Sequence, residues 1–221
     1  MKLSWIFLLF GAVTAILLSA AYNSLELYVN SVWLLSIFTI CFFSKGLVNI
    51  KHITAILLLM MLVEYLAMLY LLKFSPYELS PTVNNTIIFS IHFILDLTSL
   101  LLLKYRVRLS LRYMRKTEPE NWRAVYMTYA DPILYGIFYA FIVVDVAALA
   151  ENLIRWMDFY FGVSEEVSKL FWNWNWIYKS YEYLKSILLS CVITTLLATI
   201  FVERQRQDTA EHELEKDTVE H

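Results

Sequence analysis

The amino-acid sequence predicts an all-α integral membrane protein, a six-transmembrane-helix bundle with an amphipathic helix lying in the outer interface. Three observations lead there. The 221-residue chain is 59% hydrophobic and 16% aromatic, with a mean hydropathy of +0.56, far above the soluble average. Its apolar residues fall in six blocks, at about 3–21, 25–44, 53–72, 86–103, 132–150 and 184–202, each near the ~20 residues a helix needs to cross ~30 Å of hydrocarbon. With both termini inside, 13 of the 18 Lys and Arg lie on the inner side, the excess expected of cytoplasmic loops. No stretch of mixed polarity is long enough to bury a soluble core. Residues 1–202 therefore form one polytopic domain, multi-pass in the plasma (inner) membrane, and residues 203–221 an acidic cytoplasmic tail.

The first span begins Met1-Lys2 and ends Ser19-Ala20-Ala21, like a cleavable signal peptide. Its apolar block exceeds the ~7–15 residues of a signal core, so a retained helix is expected; cleavage would leave five spans with unchanged orientations. The second span carries Cys41 near its inner end and the sixth carries Cys191 in its outer half. Their depths differ by about 13 Å at 1.5 Å per residue, too far for a disulfide, so both thiols are free. The fourth span continues into "KYRVRLSLRYMRK", where Lys104, Arg108, Arg112 and Arg115/Lys116 recur at helical spacing. That basic face suits anionic lipid head groups, although the positive-inside bias accounts for the same charges without a specific partner. In "ADP" at 130–132, Asp131 is the expected N-cap of the fifth helix and Pro132 its first residue.

On the outer side, "SEEVSKLFWNWNWIYKSY" (164–181) spaces Val167, Leu170, Phe171, Trp174, Ile177, Tyr178 and Tyr181 as one apolar helical face. Ser164 would cap it, with Glu165 and Glu166 in the first turn. Trp172, Trp174 and Trp176 are the expected interfacial anchors. Lys73, Arg155, Lys169, Lys179 and Lys185 are the basic residues placed outside. The tail "EHELEKDTVEH" has high charge and no apolar face, as in a solvated helical extension or a disordered segment.

Only four glycines and four prolines occur in the chain. Broken helices of the kind that build transporter sites are therefore not expected. Gly11, Ala15 and Ser19 on the first span, and Gly136 with Ala140 on the fifth, have the spacing of close-packing seams.

The chemistry-bearing residues lie within the spans. "SIHFILDLTSLLLL" (90–103) sets His92 and Asp96 one helical turn apart, and Asn85, Ser99 and Arg106 continue their stripe. Counted from span midpoints, His92, Asp96, Glu64 in the third span and Asp145 in the fifth share a central layer about 10 Å thick. Ionisable groups at that depth cost about 2.5–3.5 kcal/mol on insertion scales, so they must be partnered or neutral. Two readings follow: a proton or cation path through Glu64, His92, Asp96 and Asp145, or a hydrogen-bonded cluster that fixes which helices are neighbours. One intramembrane histidine excludes a His₃ zinc centre, and no metal or other cofactor is expected. Hydrolase, zinc-protease, redox and phosphate-loop motifs are absent from the sequence. The favoured class is a non-enzymatic membrane component, meaning a sensor, accessory subunit or scaffold; the alternative is a small proton- or cation-coupled transporter or channel. The expected partners are the lipid bilayer and other membrane proteins, met through helix packing or the tail. A net charge of −2 and the lack of a binding motif argue against nucleic acid.

Overall fold

The structure, a computed structural model, describes residues 29–44, 46–74 and 80–219, with side chains over 33–42, 44, 46–71 and 80–206. The first predicted span, its ridge of Gly11, Ala15 and Ser19, and the question of its cleavage lie outside the described residues. The described chain is helical, without a strand: α1 (Val29–Phe43), α2 (Val48–Phe74), α3 (Pro81–Thr117), α4 (Ala130–Arg155), two short helices α5 (Met157–Phe161) and α6 (Glu165–Ser168), and α7 (Trp176–Val219). Single 3₁₀ turns occupy Trp122–Ala124 and Lys169–Phe171.

Four helices are long and apolar enough to cross a membrane, over Val48–Leu71, Pro81–Thr117, Ala130–Arg155 and Trp176–Arg206. They contain the predicted third to sixth spans. Helix α1 falls in the predicted second span, but it has 15 residues, roughly 22 Å at 1.5 Å per residue. The long helices are uninterrupted, as the scarcity of Gly and Pro predicts. Leu59, Leu66, Ile94, Leu101, Val143 and Val146 are exposed, whereas Asp96, Arg106 and Asp145 are buried. Apolar outside and charged inside is the arrangement helices take in lipid.

Consecutive helices pack as neighbours, α1 on α2, α2 on α3 and α3 on α4, and α7 packs on α4 and reaches α1 and α2. The core between them holds Trp33, Ile37, Leu57, Leu103, Leu134 and Leu196. Gly136 forms no packing seam with the other described residues: it lies on an exposed face of α4, and a Cβ there would meet none of their atoms within 4 Å. Cys41 and Cys191 are both free.

The helix termini follow local chemistry, with two departures from expectation. Ser80 caps α3 by accepting from the Val83 N–H, with Pro81 in the first turn. Glu118, ahead of Pro119, leaves the helical region (φ −140°, ψ 72°) and ends α3. Asp131 is not an N-cap, because α4 begins at Ala130 and places it inside the first turn. Its carboxylate instead reaches back to the N–H and hydroxyl of Thr128, at 2.7 and 2.9 Å, and so gives the donors just ahead of the helix an acceptor. The expected continuous helix over 164–181 is also interrupted. Ser164 precedes α6 without a side-chain cap bond, and the chain turns through 172–175 before α7 starts at Trp176. The cause lies on another helix: the Glu151 carboxylate of α4 accepts from the N–H groups of Ile177 and Tyr178, at 2.9 and 3.0 Å. An anionic cap at those donors starts a new helix there.

At the opposite end of the bundle, Arg106 of α3 is wholly buried. Its Nε and Nη2 donate to both oxygens of Asp131, at 2.8 and 2.6 Å. Nη1 donates to Asn49 Oδ1 at 3.1 Å, and Nη2 also to the Tyr126 carbonyl at 2.8 Å. Asn49 in turn binds the Ala124 carbonyl and the Tyr126 N–H, at 2.9 and 3.0 Å. The Tyr126 hydroxyl donates to Glu203 of α7. Burial, and then the bond to Glu203, raise the Tyr126 phenol pKa, which keeps it a donor. One guanidinium thus ties α2, α3, α4 and the α3–α4 loop, and Tyr126 extends the network to α7.

Breaking a buried pair by removing one partner costs about 3–5 kcal/mol. Arg106→Met should therefore lower thermal stability in detergent by that order, while Arg108→Met, at an exposed position, should stay within about 0.5 kcal/mol. Arg106→Met with Asp131→Asn should cost less than the sum of the two single changes. Equal melting temperatures for Arg106→Met and Arg108→Met would refute this.

Candidate functional site

Midway along the bundle, α2, α3, α4 and α7 each contribute ionisable or hydroxyl groups to one connected cluster. Helix α3 presents His92 and Asp96 one turn apart, and α7 presents Tyr181 and Lys185 one turn apart. Lys185 forms ion pairs with Asp96 and with Asp145 of α4, whose Oδ1 lies 3.0 Å from the ammonium. Tyr181 donates to the same Asp145 oxygen at 2.8 Å. The Lys185 ammonium also lies 4.9 Å from the Phe141 ring centre and 5.7 Å from that of Tyr181, within cation–π range. On the α2 side, His92 Nδ1 lies 2.9 Å from Glu64 Oε1, in ion-pair reach but off the axis of a well-formed hydrogen bond. The His92 and Tyr181 rings meet edge to face at 5.9 Å and connect the two halves.

These groups border a cavity of about 320 Å³. Glu64, Asn84, His92, Asp96 and Lys185 supply polar groups to it, and Trp33, Met60, Met61, Phe138 and Phe141 supply apolar walls. Asp145 lies behind Lys185, wholly buried, and its Oδ2 has no hydrogen-bond partner among the described residues. With the three carboxyls ionised, they face one ammonium when His92 is neutral and leave one excess negative charge when it is protonated. Among the described residues, no three of His, Cys, Asp and Glu converge to hold a metal ion.

The structure thus places Glu64, His92, Asp96 and Asp145 in one neighbourhood but pairs them differently from the stripe read along α3. His92 faces Glu64, and Asp96 faces Lys185. Lys185, at the start of the predicted sixth span, counts among the outside basic residues in the charge asymmetry. It is instead the tenth residue of α7, buried about 14 Å along the helix. A signal for it exists in the sequence: Tyr181, Lys185, Val192, Leu196 and Glu203 share helical spacing, and all are buried.

No family model matches the chain, nor does any curated protein or solved structure. The reading of the site rests on its own chemistry.

The other predicted positions are surface features. Lys104, Arg108, Arg112 and Arg115 lie exposed along α3, with Arg108 over the Tyr105 ring and Arg115 over the Trp122 ring, at 5.8 and 5.2 Å. Trp172 donates its indole N–H to Ser168 Oγ at 3.2 Å and packs on Trp156. Trp174 packs on Phe171, and Trp176 is 74% exposed.

Lys185→Met would strand Asp96 and Asp145 without their cation, and should destabilise the folded protein by about 3–5 kcal/mol. Adding Asp145→Asn to that variant should recover part of the loss, since one stranded carboxylate is removed. Thermal unfolding of both variants checks this; a double variant no more stable than Lys185→Met would contradict the charge-balance account.

Proposed function

We propose that the protein is a non-enzymatic multi-pass membrane component, a sensor, accessory subunit or scaffold, whose interior charges hold its helices as neighbours. Six spans, both termini cytoplasmic and the α4–α7 connection outside complete the reading. Trp172, Trp174 and Trp176 then sit at the outer head groups, and Lys104, Arg108, Arg112 and Arg115 at the inner ones. The observation that carries the proposal is Lys185, held by carboxylates from two other helices within a bundle of unbroken helices. Such a pairing favours a fixed arrangement over the discontinuous helices of many alternating-access transporters. Other membrane proteins would meet its lateral faces or its acidic tail.

One observation favours a second reading, a proton- or cation-coupled transporter. The Glu64–His92 pair lies open to the cavity, and histidine is the side chain that changes charge near neutral pH. Proton flux in liposomes separates the two. The expected result is no flux from the wild type, and a modest loss of stability without change in flux for Glu64→Gln with His92→Gln. Robust wild-type flux that this double variant abolishes would replace the first reading with the second. For topology, an impermeant maleimide applied to sealed cells should label Leu170→Cys and spare Lys116→Cys, each in a background without Cys41 and Cys191. Labelling of Lys116→Cys would end the both-termini-inside arrangement.

A further inference from the structure

We propose that the central cavity is a binding site for a small lipophilic organic cation, an amine or quaternary ammonium with an apolar body. The proposal goes beyond the scaffold reading and does not depend on it, because binding requires no transport.

Charge comes first. Glu64, Asp96 and Asp145 are three carboxyl groups against one lysine and one histidine, so with the carboxyls ionised the cluster carries a negative excess in either state of His92. A negative excess in an apolar interior is costly, and a bound cation relieves it. A lone pair also favours a cation. Asn84 Oδ1 has no hydrogen-bond partner among the described residues, and Asn84 lines the cavity. The lining ammonium, Lys185, is already engaged by two carboxylates. An anionic ligand would therefore meet carboxylates without a free counter-charge.

Shape and walls specify the rest. A cavity of about 320 Å³ lies at the small end of the range that accommodates organic ligands. Trp33, Phe138, Phe141 and Tyr181 present aromatic rings to it, and Met60 and Met61 add adaptable apolar surface. Phe141 and Tyr181 already bracket the Lys185 ammonium, so the cavity wall is built from rings placed to face positive charge. The cationic head would sit between Glu64 and Asp96 and the body among Met60, Met61 and Phe138.

The test uses the full-length protein in detergent and two probes of nearly identical shape: benzyltrimethylammonium, and neopentylbenzene, in which carbon replaces the charged nitrogen. Binding is read by calorimetry and by ligand-induced thermal shift, with phenylacetate as the anionic counterpart. The expected result is saturable binding of the cation, at least about tenfold tighter than the neutral isostere, as a desolvated cation–aromatic and carboxylate contact implies. Glu64→Gln should remove most of that preference, while Glu165→Gln, on the surface beside Lys169, should leave it intact. Equal binding of cation and isostere, a preference for phenylacetate, or no saturable binding would each overturn the proposal. The wild-type comparison of the probes decides the matter even where Glu64→Gln fails to fold.

Discussion

A charge inside hydrocarbon must find an opposite charge inside hydrocarbon, and in this bundle that constraint falls on Lys185. Its ammonium sits among apolar helices with carboxylates from α3 and α4 on either side. A lysine so placed fixes both the rotation and the axial register of α7 against its neighbours, since a one-residue rotation turns the side chain by about 100° away from its partners. Tyr181, one turn earlier, holds Asp145 from the same helix. The polar layer is thus a set of mutual constraints, and most of its members are shared between helices.

The two ends of the bundle repeat the principle with different groups. Arg106, ten residues along α3 from Asp96, is spent on Asp131, Asn49 and a loop carbonyl. Because Asp96 and Arg106 lie on one helix, and Asp145 and Asp131 on another, α3 and α4 are tied near the middle of the bundle and at one end. At the other end Glu151 receives the first N–H groups of α7, so a side chain of α4 sets where α7 begins. Near it, Asn152 donates to Thr86 at 2.7 Å and brings α3 to α4 a third time. Fixation at several depths suits helices that gain little from apolar burial against each other, because lipid tails are as apolar as leucine.

What distinguishes the central layer from the Arg106 network is its incomplete balance. Around Arg106 each guanidinium nitrogen has a partner and the ion pair is one to one. Around Lys185 the carboxylates exceed the cations, Asp145 Oδ2 is left without a donor among the described residues, and a cavity opens beside the cluster. A site built only to clamp helices has no need of that excess. The difference separates a closed network from a cluster with an open side, which is what the proposed cation site rests on.

The sequence by itself determined the class, four long apolar helices among its six predicted spans, their continuity and the inward placement of the acids, because each follows from a local property: apolar length against bilayer thickness, the absence of breakers, and the cost of a charge facing lipid. It also located the basic face of α3 and the aromatic segment before α7. Only the tertiary structure decided who pairs with whom. Lys185 meets Asp96 across 89 positions of chain, and Arg106 meets Asn49 across 57, and helical periodicity within one span carries no information about which span lies opposite. The same blindness explains the departures in 164–181 and at Lys185, where Glu151 of another helix starts a new helix at 176 and Asp96 and Asp145 of two other helices hold a buried lysine. At Asp131 the difference is local: the helix starts one residue earlier, and the carboxylate turns back to Thr128 while pairing with Arg106.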